Sequence, residues 1–484
     1  MYPPGQVCLS PALRWRISAG LGLRSACLVA ATLLTACATP PTELQRPVAP
    51  IPSAWPAAGA QGGRIDATRT HWRNFFPDPR LQTLIATALQ HNRDLRIAAG
   101  RVLEARAQYG IIRSDQSPMV GLLGSGNVSR SPAELRSAGG SAINSRFDVS
   151  MTSVSFELDF WGRLARLSES ARASYLATEE AQRATRISLV ADVAAVYFTL
   201  LQMEELATLA RTNAGLRAQS LSLIDKGRNI GGAYDYEYEQ ARAMFESARA
   251  HLAALEHQQA RATNHLRFLV GQLPDGLPEG ASLDQQGLDA DLAPGLPAEV
   301  LLVRPDVLAA EQRLLAAHAN IDAARAAFMP KITLTAGLGL ASKGLLGLFT
   351  GGAWSFLPTI SMPLFDGGRT AAGVDLAEAR KIIAIAEYEK TIQQAFREVA
   401  DLLSARDSLT RQLRSSVENR IAQERRLEIA QARYQGGLIS YLEVLEGLRE
   451  VVAAQQGSAQ VRRAQLETAA QLYKALGGGN DNTI

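Results

Sequence analysis

The chain has 484 residues, of which 47% are hydrophobic and 20% charged, with 50 basic residues against 47 acidic. A formal net charge of +3 supplies no basic excess for a nucleic-acid groove. All three cysteines (Cys8, Cys27, Cys37) fall within the first 37 residues, which excludes a disulfide frame, a zinc site or a thiol nucleophile downstream.

Arg14, Arg16 and Arg24 precede an apolar run, Ala26–Ala36, that ends Leu34-Thr35-Ala36-Cys37. A basic segment, a short apolar segment and small residues describe an export signal over residues 1–36. The last four residues match a lipobox, in which Cys37 becomes the lipidated first residue; the alternative is an ordinary signal with a chance cysteine. Ala38 in place of Asp favours the outer membrane, and the long basic region leaves a start downstream of Met1 open. Beyond residue 36 the two signs of charge balance at 47 each. No run of about 18 apolar residues follows, so no transmembrane helix is expected.

Residues 37–77 read as a lipid-anchored tether, with prolines at 40, 41, 47, 50, 52 and 56. Asp78 and Pro79 cap and open a short helix, and a second runs from about Asp94 to Asp115. Proline then divides the chain. None occurs between Pro132 and Pro274, a cluster follows at 274–305, and none occurs after Pro363. Proline is costly inside helices, so long helices fill the proline-free stretches. The longest, Arg369–Gln435, spans about 67 residues, or roughly 100 Å at 1.5 Å each. It ends at the paired glycines Gly436 and Gly437, which suit a helix C-terminus. A shorter helix returns to about Leu476.

The halves repeat. At a shift of 212, Asp94, Ala98, Arg101 and Pro118 meet Asp306, Ala310, Arg313 and Pro330. At a shift of 206, Leu158, Gly162, Arg163, Gly231 and Glu237 meet Leu364, Gly368, Arg369, Gly437 and Glu443. The change of shift places about six extra residues in the loop of the first strand pair. The divisions are a first repeat at 78–270 with strands near 117–130 and 146–158, a linker or equatorial segment at 271–298, a second repeat at 299–476 with strands near 331–341 and 353–364, and a flexible tail at 477–484. The strands alternate: Ile332, Leu334, Ala336, Leu338 and Leu340 share one face, and the phase of the 146–158 strand flips near Ser153 as at a bulge. Their length suits an outer-membrane barrel, or else a soluble two-layer sheet. Four strands cannot close a barrel, and an open edge cannot sit in lipid. Membranous strands therefore require several chains in one barrel.

LDFWGR (158–163), LFDGGR (364–369), AAFMPKITL (326–334) and RYQGGLISYLEVLE (433–446), with the lipobox and the duplication, resemble the TolC-like outer-membrane efflux proteins, in particular the lipidated branch serving resistance–nodulation–division pumps. The resemblance implies a mixed α and β membrane protein. It would be a homotrimer with a twelve-stranded β-barrel, four strands per chain, continuous with a long periplasmic α-helical barrel. It implies a passive exit duct for drugs or other small molecules, with a periplasmic adaptor and an inner-membrane pump as partners, outer-membrane lipid around the barrel, and no enzyme activity, cofactor or metal. Residue by residue it implies a periplasmic aperture at Glu237, Gln240, Glu443 and Glu446. Adaptor-contact tips would lie at Gly231, Gly232, Gly436, Gly437, Leu438 and Ser440, and helix–strand junctions at Pro118, Pro330, Trp161, Gly162, Gly367 and Gly368. Trp161 is either an anchor near the lipid–water boundary or a core aromatic. Two of Tyr234, Tyr236 and Tyr238 are expected between helices and one toward the adaptor. The alternatives are a channel for type I secretion or metal efflux, or a periplasmic adaptor lipoprotein. An exported hydrolase lacks support, since no G-x-S-x-G, H-E-x-x-H or P-loop occurs.

Overall fold

The computed structural model describes residues 47, 51–56, 65–66, 70–136, 141–232, 234–272, 274, 276–288, 292–293, 297 and 301–478. The export segment, Cys37, most of the tether, part of the linker and the end of the tail lie outside these residues. In chain order come α1 (Trp72–Phe75), α2 (Pro79–His91), α3 (Arg93–Ser114), β1 (Val120–Arg130), β2 (Ile143–Glu157), α4 (Arg163–Asn229) and α5 (Asp235–Val270). The second repeat gives α6 (Pro305–Ala326), β3 (Lys331–Ser342), β4 (Gly352–Ser361), α7 (Arg369–Gln435) and α8 (Tyr441–Ala475). Helix–strand–strand–helix–helix thus occurs twice, and α4 and α7 are each 67 residues long.

The chain divides into two compact units. One contains Arg113–Leu167 and His318–Ala377, and hence all four long strands. They form an antiparallel sheet in the order β1-β2-β3-β4. Because successive side chains point to opposite faces, the register sorts the residues by polarity. Leu122, Met151, Leu338 and Trp354 pair in one row across the four strands, and each is more than 60% exposed. The next row, Gly121, Thr152, Gly337 and Ser355, is small and polar and lies on the other face. The register shifts between Ser153 and Phe156, where Ser155 takes φ 53° and its N–H donates to Thr335 Oγ1 at 3.0 Å. This is the bulge behind the change of phase. The loops correct the sequence reading: the connections span residues 131–142 and 343–351, so only half of the six-residue difference is in the loop. The bulged, longer β2 takes up part of the rest.

The other unit comprises the described parts of Pro47–Ile112, Ser168–Ala317 and Glu378–Ile484. Its core gathers Phe76, Leu81, Leu84, Ile85, Tyr197, Phe198, Leu301, Leu314, Ile392, Leu403 and Tyr473. Phe75 stacks on Tyr473 at 4.7 Å, and the Tyr473 hydroxyl donates to Thr70 O at 2.9 Å. One stretch of α4 matches a membrane span in length and composition, against expectation, but half of it is buried inside the chain. Core residues Val190, Ala194, Tyr197 and Leu201 explain its apolarity.

Asp78 connects three segments of this unit. Its Oδ1 caps α2 by accepting from Arg80 N (2.8 Å) and Leu81 N (3.4 Å). Its Oδ2 accepts from the Tyr197 hydroxyl (2.8 Å), Gln286 Nε2 (2.8 Å) and Ala281 N (3.2 Å). A buried carboxylate is tolerated here because donors surround it. Desolvation, then the bond to Asp78, raises the Tyr197 pKa and keeps its hydroxyl a donor. The tether is also less free than its prolines suggest. Trp55 is buried and stacks on Phe396 at 5.0 Å, and Ile65–Asp66 pairs in parallel with Leu292–Ala293. Burial of the apolar Trp55 ring favours this contact.

Asp78→Ala strips acceptors from buried donors, each worth about 1–3 kcal/mol when left unpaired. Thermal unfolding in detergent is expected to fall by several degrees, with Asp78→Asn losing less; an unchanged midpoint for Asp78→Ala contradicts this role.

Candidate functional site

The last carbonyls of a long helix need donors. At the end of α4, Gly231 N–H donates to Arg228 O (3.0 Å) and Gly232 N–H to Gly227 O (2.8 Å). At the end of α7, Gly437 N–H donates to Tyr434 O (2.9 Å) and Leu438 N–H to Arg433 O (2.9 Å). These are two copies of one Schellman motif, 206 residues apart. Gly231 (φ 77°) and Gly437 (φ 73°) hold the left-handed position. A Cβ at either would meet no atom within 4 Å, so backbone conformation rather than space requires glycine. Gly231, Gly232, Gly436, Gly437, Leu438 and Ser440 are all exposed.

The helices that leave these turns carry the acidic residues. Glu237 accepts from Tyr234 N at 3.3 Å and so closes the first turn of α5. Gln240 is half-buried three residues on. Glu443 is exposed in the first turn of α8, and Glu446, also exposed, pairs with Arg449 at 3.1 Å. Within the chain Tyr234 and Tyr236 are exposed, while Tyr238 is half-buried, with the Arg228 guanidinium 3.9 Å from its ring centre. Arg228 also pairs with Asp225 at 3.0 Å and Asp235 at 3.7 Å, which draws it over Tyr238.

Arg217 is the site residue that the sequence reading missed. It is buried on α4, its Nη2 donates to Leu445 O of α8 at 3.4 Å, and its Nη1 lies 3.6 Å from Met244 Sδ. Burial lowers its pKa from the ordinary guanidinium value, opposed by Tyr441 and Glu446. Ser220, one turn on, shares a hydrogen bond of 2.5 Å with the Tyr441 hydroxyl. The first repeat's long helix thereby holds the second repeat's acidic helix. A signal was present: Arg217 continues the buried small-residue stripe Ala207, Ala210, Ala214 and Ser220, where a charge is out of place.

The junctions lie in the strand-bearing unit. Trp161 Nε1 donates to Pro330 O at 2.7 Å, so this half-buried ring joins the two repeats where strand meets helix. Arg163 Nε and Nη2 grip Glu157 at 2.9 and 2.7 Å, and Lys331 Nζ reaches the same carboxylate at 3.0 Å. Gly162, Gly367 and Gly368 take φ of 72°, 64° and 87°. Two aspartates within the LDFWGR and LFDGGR motifs do what the glycines alone cannot. Asp159 accepts from Leu164 N (3.1 Å) and Ala165 N (2.8 Å), and Asp366 from Gly368 N (3.0 Å) and Thr370 N (2.9 Å). Each satisfies the first orphan donors of a 67-residue helix. Pro118 precedes β1 and Pro330 precedes β3, each in the turn that follows a helix ending at Ser114 or Ala326.

The description "outer membrane efflux protein" matches residues 84–272 and 296–478. The chain belongs to the outer membrane efflux protein family. It is 41% identical over 460 residues to the toluene efflux pump outer membrane protein TtgI of Pseudomonas putida, covering 93% of this chain and 97% of the relative. It is 40% identical over 458 residues to the cation efflux system protein CusC of Escherichia coli, covering 93% and 98%. The solved open state of the Neisseria gonorrhoeae MtrE outer membrane channel superposes with a TM-score of 0.83 at 34% identity, covering 91% of this chain and 98% of that one. The protein is an outer-membrane efflux channel component with the duplicated helix-and-strand fold of the TolC-like channels. This is a family of transport ducts rather than of enzymes.

Gly437→Ala forces alanine into the left-handed region at about 1–2 kcal/mol. Amide exchange at residues 433–441 is expected to speed up several-fold without change in the strands; unchanged exchange there contradicts the Schellman assignment.

Proposed function

We propose that three copies of this chain form the exit duct of a tripartite efflux system, passing small molecules from an inner-membrane pump and a periplasmic adaptor to the exterior. The observation that carries the reading is the open sheet. Among the described residues β1 and β4 are edge strands, and one face of the sheet is an apolar row fit for lipid. Unpaired backbone groups at those edges cannot remain in hydrocarbon. Joining β4 of one copy to β1 of the next closes twelve strands with three chains. Helix α3 has no buried residue and exposes Ile97 and Leu103, whereas its repeat counterpart α6 buries Leu314 and Ile321, as expected of a helix that a neighbouring copy would cover.

In this assembly Glu443 and Glu446 would each occur three times around the axis, forming an acidic aperture that favours cations. Gln240 stands where the first repeat lacks the second acid. Arg217 and the Ser220–Tyr441 bond would hold the gate helix to its neighbour. The exposed turns at Gly231–Gly232 and Gly436–Ser440 would receive the adaptor, and lipid on Cys37 would anchor the tether.

In planar bilayers the purified protein is expected to conduct with cation preference. Glu443→Ala and Glu446→Ala should each lower that preference and widen the resting conductance. Unchanged selectivity and conductance in both variants contradicts the aperture, and a protein that forms no pore contradicts the duct.

A further inference from the structure

Resting on the membrane assignment of the strands, we propose that the β3–β4 hairpin tip, Leu345–Thr350, is a lipid anchor that folds back over the apolar side of the sheet and inserts into the outer leaflet. The tip is a 3-10 turn in which Leu345, Leu346 and Phe349 are exposed, Leu346 completely so. A tip reaching into water or into a polar lumen has no use for three bare apolar side chains.

Side-chain alternation says which way the tip folds. Ser342 has the parity of Leu338 and Leu340 on β3, and Ser145 has the parity of Phe147, Val149 and Met151 on β2. Both serines therefore point to the apolar face of the sheet. Each is bonded to the root of the tip. Gly344 N–H donates to Ser342 Oγ at 3.2 Å, and Ser145 Oγ donates to Lys343 O at 2.6 Å. Gly347 lies over the same serine, since a Cβ there would come within 2.7 Å of Ser342 Oγ. Leu348 is the one leucine of the turn that is buried, while Leu345, Leu346 and Phe349 stay exposed. The occupant follows from continuity: the face these bonds point to is the one that carries Leu338 and Trp354. Charge agrees, because residues 343–351 hold one lysine and no acid. Lys343 is exposed at the root of the turn, where its stem can follow apolar side chains while its ammonium meets anionic headgroups. The other tip differs, with Glu134 and Arg136 flanking its exposed Leu135.

The test uses the unmodified protein in phosphatidylethanolamine–phosphatidylglycerol vesicles containing a diazirine-bearing phosphatidylethanolamine, with lipid adducts mapped by mass spectrometry after illumination. Adducts on Leu345–Phe349 are expected at a yield near that of the Leu338–Trp354 row and several-fold above residues 133–136. Labelling of the row with no more label on 345–349 than on 133–136 overturns the anchor and leaves the membrane face standing. An unlabelled row overturns the membrane assignment and the anchor with it.

Discussion

A strand edge must find a partner or lie in water, and in a membrane the second choice is gone. The four-stranded sheet has an apolar row running through Leu122, Met151, Leu338 and Trp354, and the edges of that sheet are β1 and β4. In the proposed duct, copies of the chain supply the partners that the apolar face and the open edge lack. That need also bears on the junctions, which must be stiff because each strand pair continues directly into a 67-residue helix. Stiffness comes from Asp159 and Asp366 at the helix starts, from the Glu157–Arg163–Lys331 cluster, and from the Trp161 bond to Pro330.

Duplication supplies the parts, and divergence makes them do different work. The two Schellman turns are built alike, but the helix starts beyond them differ. The first carries Tyr234, Tyr236 and Tyr238 with Arg228 laid over the last; the second carries Ser440 and Tyr441, and Tyr441 is tied to Ser220. The motif aspartates are displaced by one residue between the copies, yet each reaches the amides that open its helix. The Glu157 ion cluster has no counterpart, since the equivalent position is Pro363. An ancestral repeat thus leaves one copy with a charged clamp and the other with a glycine crossing capped by Asp366.

The long helices, the strand faces and the bulge were legible because each rests on local periodicity or on proline and glycine, whose effects do not depend on distant residues. Arg369–Gln435 was read to the residue for this reason. Asp78 was legible as a cap, but its bonds to Tyr197 and Gln286 span 119 and 208 positions and had no local signal. The burial of Trp55 against Phe396 was hidden in a proline-rich segment whose composition argued for a free tether. Arg217 lay in plain view on a small-residue stripe, but its partner Leu445 lies 228 positions away. The tyrosine spacing gave no sign that Arg228, held by Asp225 and Asp235, would lie over Tyr238.

Closure by three copies is the central claim, and the number of chains in the particle tests it most directly. Native mass spectrometry of the protein extracted in mild detergent should give the mass of three chains, persisting on dilution. A particle of one or two chains that still conducts in bilayers would contradict the account, because four or eight strands with this register would then be holding open edges in lipid.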